Sequence, residues 1–331
     1  MTTDLLLPGT TTMDAVTLHV ADLPGMTDYY RDALGLEELP GDAARTAIDR
    51  GSPAVGRADT SVLGRGRDAL VILVHTPGLP APAPGQAGLF HTALLFPDRA
   101  ALADVVARAG QHPRSIFVGS ADHLVSEAFY FTDPEGNGIE LYRDRPREQW
   151  SWHGGRVAMD SLPLDPQAFL RDHHVEQAPS TAEVGHVHLK VGDVPTARAF
   201  YVDALGFEVT AQWNGAIFVS AGGYHHHMAM NSWGSRGAGA RAATIGLGQV
   251  SIVVPTTQDV DALAERLRHH EIPAQHDGRT LRFEDPWRSS SRSAPRRDAM
   301  TSPTGDGRQP RRTPLDRVSA GQGPHTAPRT G

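Results

Sequence analysis

An internal repeat is the feature that most limits how this 331-residue chain can fold. The segment DAVTLHVADLPGMTDYYRDALGLEEL, residues 14–39, returns as GHVHLKVGDVPTARAFYVDALGFEVT, residues 185–210. A constant offset of 171 positions pairs Tyr30 with Tyr201. Each copy has the alternating apolar residues of a strand, a turn with Asp and Pro, and an amphipathic helix that ends at glycine. The chain is therefore expected to consist of repeated strand–helix units.

A second pair of similar segments extends this repeat. GLFHTALLFPDRAALADVVARAG, residues 88–110, resembles GLGQVSIVVPTTQDVDALAERLRHH, residues 246–270. The sequence thus predicts four strand–helix–strands units, each with its own first and last strand. The simplest grouping is a first domain of two units at 1–145, a linker at 146–183 and a second domain of two units at 184–287.

The sequence from residue 288 onward differs in character from the rest. It begins RSSSRSAPRRDAM and continues without apolar periodicity, which is typical of disorder. By analogy with DPEGNGIEL in the second unit, the segment after Asp285-Pro286 should turn and extend, but WRSSSR predicts neither. We therefore expect the fourth unit to lack its last strand. Residues 288–331 would be a disordered tail that begins at a shifted reading frame, with a genuine linker-like tail as the alternative.

Composition excludes several classes of protein and site. The chain has no cysteine, so a metal ion must be held by His, Asp or Glu. A net charge of −7 argues against nucleic acid as a partner. No apolar run approaches the roughly 18–20 residues of a membrane span, and no basic segment with an apolar run marks the N-terminus. We expect a cytoplasmic protein with neither a membrane nor a nucleic acid as a partner.

Ligand-type residues lie at strand positions that favour metal binding. Residues two apart on a strand share a face, so His186 and His188 point the same way on the first strand of the third unit. His91 opens the first strand of the second unit, and Glu140 lies on its last strand. If each unit curls into a cupped sheet with these strands adjacent, His91 and Glu140 meet. A third ligand must then come from a partner unit.

The most specific segments together resemble one known family. They are GLFHTALLFP, SADHLVSEAFYFTDPEGNGIELYRDRP, GHVHLKVGDV and GGYHHHMAMNSW, and the resemblance covers about residues 10–287. The chain resembles the vicinal oxygen chelate superfamily of glyoxalases, bleomycin resistance proteins and extradiol dioxygenases. Within it, the chain resembles the catechol 2,3-dioxygenase-like proteins. The implied fold class is α+β, with four βαβββ units forming two cupped mixed β-sheets.

The resemblance also implies where a metal would bind. Type I extradiol dioxygenases hold Fe(II) with two His and one Glu on the first and last strands of paired units, leaving positions open for catechol and O₂. The four first-strand positions here hold Ala15, His91, His186 and Gln249. Among the last strands, the second unit supplies Glu140 and the fourth would supply Arg292. Only the pairing of units two and three gives a complete triad, His91, Glu140 and His186. We therefore predict that units one and four form a structural partner.

Catalytic roles for three more residues follow from the same resemblance. In extradiol dioxygenases a His and a Tyr precede the ligand Glu and contact the catecholate, and His123 and Tyr130 lie at similar offsets before Glu140. The family also places an acid/base His in a segment resembling AGGYHHHMAMN, where His226 matches best and His227 is next. An imidazole with a pKa of about 6.5 suits that role, because it can take a catechol proton and return it.

A structural role is the alternative for every one of these residues. A lone His on a strand is more often packed or exposed than a ligand, and a strand Tyr is commonly in the core. The run His225–His227 could be a solvated strand edge, and alternation prevents all three from facing a metal. We expect His19, His75 and His188 to be structural.

Three hypotheses about function remain from the sequence. The first is an Fe(II)-dependent extradiol ring-cleaving dioxygenase, with Mn(II) as a substitute metal, acting with O₂ on a catechol or hydroquinone-like substrate. The second is a glyoxalase-like metal-dependent isomerase or lyase, which predicts a fourth protein ligand. The third is a bleomycin-resistance-type protein that binds a flat molecule without metal. Under the first hypothesis, the partners are a small aromatic diol and O₂, and formation of a homo-oligomer is left undecided.

Overall fold

The structure, a computed structural model, describes residues 6–51, 59–175 and 180–296. Its strands are β1 (Thr12–Val20), β2 (Glu37–Glu38), β3 (Thr60–Arg65), β4 (Asp68–His75), β5 (Gly88–Leu95), β6 (Ile116–Asp122), β7 (Ser126–Thr132), β8 (Gly138–Asp144), β9 (Trp152–His153), β10 (Arg156–Val157), β11 (Leu162–Pro163), β12 (Glu183–Lys190), β13 (Glu208–Trp213), β14 (Ala216–Ser220), β15 (Met228–Asn231), β16 (Gly246–Val254), β17 (Ala274–His276), β18 (Leu281–Glu284) and β19 (Ser290–Pro295). Its helices are α1 (Leu23–Leu34), α2 (Gly41–Gly51), α3 (Arg99–Gln111), α4 (Pro166–His173), α5 (Val194–Arg198), which continues as a π-helix at Ala199–Ala204, and α6 (Thr257–His269).

The strands form two large mixed sheets, and each sheet combines units from both halves of the chain. The nine-stranded sheet has the order β11-β6-β7-β8-β5-β12-β15-β14-β13 and contains units two and three. The eight-stranded sheet has the order β17-β18-β19-β16-β1-β4-β3-β2 and contains units one and four. In each sheet the first strands of the two units pair antiparallel, and each first strand pairs parallel with its own last strand. This α+β fold of four βαβββ units and the pairing of unit two with unit three are therefore confirmed.

The same local chemistry starts the helix of every unit. Asp22, Asp98 and Asp193 each accept a hydrogen bond from the backbone N–H three residues on, as N-cap residues do. In the fourth unit Thr256 forms a capping box with Asp259. Because each cap follows directly on a strand, the helix turns back over the sheet at a fixed point. The Asp in the predicted turns is thus the helix start signal.

One hydrophobic cluster joins the two sheets and their helices. It contains buried residues of β1, β5, β12 and β16 together with residues of α1, α3 and α6. A separate cluster lies inside the eight-stranded sheet, where Ala43 and Ala47 of α2 pack with Ala15 and Ile72. Helix α2 therefore covers the concave side of this sheet on the unit-one half.

The prediction that the fourth unit lacks its last strand is wrong. Residues Ser290–Pro295 form β19, which pairs parallel with β16 and antiparallel with β18. The preceding turn forms because the Asp285 carboxylate accepts hydrogen bonds from the backbone N–H groups of Trp287 and Ser289. Asp133 does the same for the equivalent turn of the second unit. This Asp-centred turn does not need the Gly and Asn of DPEGNG.

One backbone position shows how the turn tolerates the different sequence. Gly136 has φ +85° in the second unit, and Arg288 takes φ +61° at the equivalent point of the fourth. A non-glycine residue in this left-handed region costs roughly 1 kcal/mol, which the pairing of β19 on both edges offsets. The start of the predicted tail at 288 is thus wrong, and residues 297–331 lie outside the described part.

The predicted linker at 146–183 carries structure of its own. It contains α4 and three short strands, of which β11 pairs with β6 and forms one edge of the nine-stranded sheet. The predicted domains at 1–145 and 184–287 each contain two units, and each of these domains contributes one unit to each sheet. Across the described residues, no helix is both long and apolar enough to cross a membrane.

Candidate metal centre and cavity

Two histidines and a glutamate meet on the concave face of the nine-stranded sheet. His91 of β5 and His186 of β12 lie on the paired first strands, and Glu140 lies on β8. One Glu140 carboxylate oxygen is 2.9 Å from His91 Nε2 and 3.2 Å from His186 Nε2. All three residues are buried, and one potential ligand atom of each lies within 4.8 Å of the others. The structure thus brings together the three residues predicted as metal ligands.

Burial and mutual contact set the charge of this cluster. Burial alone would raise the pKa of the Glu140 carboxyl, but the His186 and His91 imidazoles outweigh it and hold that pKa well below its usual range. Burial lowers the pKa of His186 to about 4, against the opposing effect of Glu140. The cluster is therefore an anionic carboxylate with a neutral His186 imidazole, the protonation states that metal ligands need.

The position where a fourth ligand would lie holds an alanine. Glu140 pairs with Ala93, two residues after His91, and the equivalent residue of the third unit is Ala229, which pairs with His188. Ala229 is fully buried and offers no donor atom. Among the described residues, the His91–Glu140–His186 group is the one cluster of three potential ligands at this spacing. The donor set is thus a triad with an open corner.

In the eight-stranded sheet, the positions equivalent to the triad and its open corner hold different residue types. The residues equivalent to the triad and its open corner are Ala15, Ile72, Gln249 and Arg292. Arg292 is buried on β19, at the last-strand position predicted for it, and lies 3.8 Å from Asp14. This set has one amide and one guanidinium in place of two imidazoles and a carboxylate. The second sheet therefore has no metal-binding set at these positions.

A cavity of about 370 Å³ opens above the triad. His91 and Glu140 line its inner end, and Trp233 and Phe90, 50% and 39% exposed, lie towards solvent. The rings of Trp213 and Trp233 are nearly parallel, with centroids 6.5 Å apart and an angle of 21° between planes. Its aromatic lining consists of Phe90, Tyr130, Phe131, Trp213, Phe218 and Trp233. A flat apolar molecule with one polar end fits a cavity of this shape.

His123 and Tyr130 form a hydrogen-bonded pair on one wall of the cavity. His123 Nε2 lies 2.7 Å from the Tyr130 hydroxyl, and His123 Nδ1 lies 2.7 Å from the carbonyl oxygen of Asp160. A carbonyl only accepts, so His123 donates from Nδ1. The Tyr130 hydroxyl is also hydrogen-bonded to the Glu140 carboxylate, so its one proton has two partners, Glu140 and His123 Nε2. Burial, together with the nearby Glu140 carboxylate, raises the pKa of Tyr130 well above its usual range. Tyr130 therefore stays a neutral phenol.

The three consecutive histidines point in different directions. The His226 ring lines the cavity, and its centroid lies 4.0 Å from that of His186. His225 instead contacts Asp144, with Nε2 2.9 Å from the carboxylate. His227 accepts a hydrogen bond from the backbone N–H of Ala221 through Nδ1. Of the three, His226 is the one that lines the cavity beside the triad.

Sequence reasoning missed part of the cavity. His188, expected to be structural, lines it, with its ring centroid 4.9 Å from that of His91. The backbone N–H of Trp233 donates to the Asn231 side-chain oxygen, so the Asn231 amide nitrogen donates to His188 Nε2. His188 thus keeps a proton on Nδ1. The signal was present, because His188 shares a strand face with His186.

Residues of the predicted linker also contribute, and their sequence carried no such signal. Met159 and Ser161 line the cavity, and Asp160 holds His123 through its carbonyl oxygen. A backbone carbonyl or a methionine in a Pro-rich segment has no pattern that predicts a place in a site. Only the pairing of β11 with β6 brings this segment to the cavity.

Comparison with known proteins assigns the chain to a family with this fold. The Glyoxalase/Bleomycin resistance protein/Dioxygenase superfamily matches residues 12–141 and 183–287. The chain belongs to this superfamily, and within it resembles the catechol 2,3-dioxygenases. It is 38% identical over 229 residues to a catechol-2,3-dioxygenase of Bacillus subtilis. The aligned segment covers 67% of this chain and 80% of the relative.

A second relative and a solved structure are similar at lower identity. A biphenyl-2,3-diol 1,2-dioxygenase of Rhodococcus globerulus is 30% identical over 154 residues, 44% of this chain and 72% of the relative. The crystal structure of glyoxalase I from Zea mays superimposes with a TM-score of 0.51 at 16% identity, covering 86% of this chain and 92% of that one. The last likeness concerns the fold alone. Sequence similarity therefore favours dioxygenases within a fold that glyoxalases share.

Proposed function

We propose that this protein is an Fe(II)-dependent extradiol dioxygenase that cleaves the ring of a catechol or hydroquinone-like substrate. The observation that carries the proposal is the buried His91–Glu140–His186 triad, with its open corner, at the inner end of an aromatic cavity. A 2-His-1-carboxylate set with open positions is the arrangement of non-heme Fe(II) oxygenases. The similarity to a catechol-2,3-dioxygenase supports the same reaction class.

The donor set fits Fe(II), with Mn(II) as a substitute, because imidazole and carboxylate donors suit both ions. His91, His186 and Glu140 would hold the metal. Bound there, it supplies Lewis acidity towards the phenol oxygens and the redox chemistry that O₂ requires. The low pKa of Glu140 keeps the carboxylate ready to bind without a proton to displace.

The cavity would select a flat aromatic diol and hold it in one orientation. The Trp213 and Trp233 rings and Phe218 supply apolar surface for a ring, while the polar groups lie at the inner end. The two phenol oxygens of a catechol would then face the triad and the ring would exclude water. The Tyr130 hydroxyl, shared with His123, lies where it can orient a phenol oxygen.

His226 is the group we assign to proton transfer. It lines the cavity beside His186, and burial among other histidines lowers its pKa well below the usual range. It is therefore neutral before substrate binds and can accept a phenol proton, then return it to the opened product. Tyr130, whose pKa is raised, acts as a hydrogen-bond donor and not as a base.

The open corner favours this proposal over the other two hypotheses. A glyoxalase-like isomerase would be expected to have a fourth protein ligand, and Ala229 occupies that position. A metal-free binding protein would not need a carboxylate buried between two imidazoles, an arrangement that costs desolvation energy without a cation to offset it. The triad thus has its clearest use as a metal site for O₂ chemistry.

The test is reconstitution with Fe(II) under anaerobic conditions, followed by catechol and air. We expect oxygen uptake and a yellow ring-opened product, and both should be lost in His186→Ala along with the metal. The matched control is Gln249→Ala, which changes the equivalent first-strand position of the other sheet. It should retain metal and turnover.

Three outcomes would contradict the proposal in different ways. Turnover that persists in His186→Ala would exclude the proposed ligand set. A protein that binds Fe(II) but consumes no O₂ with any catechol or hydroquinone would exclude the reaction class. A wild-type protein that retains no metal, yet binds catechol, would favour the binding-protein hypothesis.

A further inference from the structure

A chain of hydrogen bonds leads from the cavity to the C-terminal end of β8 in the nine-stranded sheet. His226 Nδ1 lies 2.7 Å from His225 Nδ1, and His225 Nε2 lies 2.9 Å from the Asp144 carboxylate. His225 is fully buried, whereas 22% of the Asp144 side chain is exposed. The chain thus connects the proposed acid/base residue, through a buried imidazole, to a carboxylate that reaches solvent.

The direction of each hydrogen bond follows from the chemistry of its partners. A carboxylate only accepts, so His225 carries a proton on Nε2. In a neutral His225 the other nitrogen, Nδ1, has no proton and must accept. His226 therefore donates from Nδ1, and a neutral His226 has its lone pair on Nε2, the nitrogen left for the cavity. The anionic end of the chain determines the tautomer at the cavity end.

Neighbouring side chains hold this chain in place. The Tyr224 hydroxyl is hydrogen-bonded to Asp144 and lies 2.7 Å from the Tyr142 hydroxyl. The His225 ring is flanked by Tyr224 and Trp150, at centroid distances of 4.2 and 5.3 Å. The His225 ring is thus packed between two aromatic side chains and hydrogen-bonded through both nitrogens, which limits its rotation.

We propose that Asp144 and His225 are positioning residues that hold His226 in the Nδ1–H tautomer, with the Nε2 lone pair directed at the substrate. This inference rests on the proposed function for the assignment of His226 as base. Neither residue touches the substrate cavity, and neither is a metal ligand. Their effect is to ensure that His226 meets the substrate as a proton acceptor and not as a donor.

The first test reads the tautomer directly and needs neither metal nor turnover. In metal-free protein with ¹⁵N-labelled histidine, the His226 imidazole is identified by the signal lost in His226→Asn. We expect its ring nitrogens to report Nδ1–H in the wild type. In Asp144→Asn, Tyr224 should donate to the amide oxygen, so the amide nitrogen faces His225 and reverses both tautomers. An Nε2–H signal in the wild type would overturn the proposal.

The second test separates positioning from general damage. With Fe(II) bound, Asp144→Asn should lower kcat for catechol about 10²-fold, the usual scale of acid–base catalysis, with KM and metal content within about twofold of wild type. Asp144→Glu, which keeps an acceptor-only group, should recover most of that loss. The control is Asp104→Asn, which neutralises a carboxylate of α3 that lies near His174 and away from the cavity. This control should leave kcat unchanged.

The outcomes distinguish this inference from the proposed function. Equal kcat values for Asp144→Asn and Asp104→Asn, with a normal wild-type rate, would overturn the positioning role and leave the dioxygenase intact. A wild type without ring cleavage would refute the proposed function, while an Nδ1–H signal that reverses in Asp144→Asn would still establish the tautomer control. A loss of kcat not recovered by Asp144→Glu, with unchanged tautomer signals, would also overturn the positioning role.

Discussion

His227, buried behind the cavity, makes the stability of the protein depend on pH. Its side chain is 7% exposed, and its Nδ1 accepts the backbone N–H of Ala221 at 3.2 Å. Burial, with smaller effects from the nearby His225 and His186 imidazoles, lowers the pKa of His227 to about 3. The folded protein therefore resists protonation of this ring at pH values where the unfolded chain accepts a proton.

The size of the effect follows from the two pKa values. Because the folded-state pKa lies below the unfolded value of about 6.5, stability is complete above about pH 6.5 and falls as the pH drops towards the folded pKa. At about pH 5 the unfolded chain has gained roughly 2 kcal/mol from protonating this one histidine. As long as the folded pKa stays below about 4, the loss at pH 5 depends only on the unfolded value.

The variant His227→Asn removes the titration but keeps an acceptor for Ala221, since the Asn side-chain oxygen takes the place of Nδ1. Denaturant unfolding of metal-free protein at about pH 7 and about pH 5 gives the free energy of unfolding for each form. Wild type should lose about 2 kcal/mol more than the variant over this range. Equal losses would refute the reasoning and would mean that His227 is hydrated or protonated in the folded protein.

Three further predictions concern the open corner, the fourth unit and the cavity wall. Ala229→Glu adds a carboxylate beside the triad, so the variant should retain Fe(II) but lose about 10²-fold or more in ring cleavage, measured by oxygen uptake; unchanged turnover would contradict the role of the open corner. Ser293→Pro removes a ladder N–H from β19, which is paired on both edges, and should cost about 1–3 kcal/mol in denaturant unfolding; an unchanged transition would exclude this strand. Tyr130→Phe should lower kcat about 10- to 100-fold with little change in metal content, and an equal rate would remove the phenol from the mechanism.

Most of the fold was predictable because it is repeated. The alternating strands, the capping Asp and the terminal glycine recur, so each copy supports the interpretation of the others. The last strand of the fourth unit was missed because β19 has the sequence SSRSAP, without apolar alternation. Its residues are buried by their central place between β16 and β18. Strand propensity measures how well side chains fit a half-buried surface, and here strand pairing outweighs it.

Part of the candidate site could likewise be predicted from the sequence, and part could not. Residues with ionisable side chains at repeated strand positions, such as His91 and Glu140, could be found by comparing the units. The tautomers of His188 and His226 depend on Asn231, His225 and Asp144, whose partners come from distant parts of the chain. The contact of His225 with Asp144 forms only when units two and three share a sheet, and the contact of His188 with Asn231 forms only when β12 pairs with β15. No local sequence pattern predicts either contact.

The order of the units explains why the cavity forms on one sheet and not in the same way on the other. Units two and three are consecutive, so the chain must cross from β8 to β12 within the same sheet. The crossing segment forms β11 at the edge of that sheet and adds Met159 and Ser161 to the wall of the cavity. Units one and four are not joined directly, and α2 packs on the concave side of their sheet instead. In this repeated fold, the segment that connects units two and three thus closes one wall of a cavity on their sheet. Ligand residues would be useful only there, since a metal needs a covered, water-poor site with room for substrate.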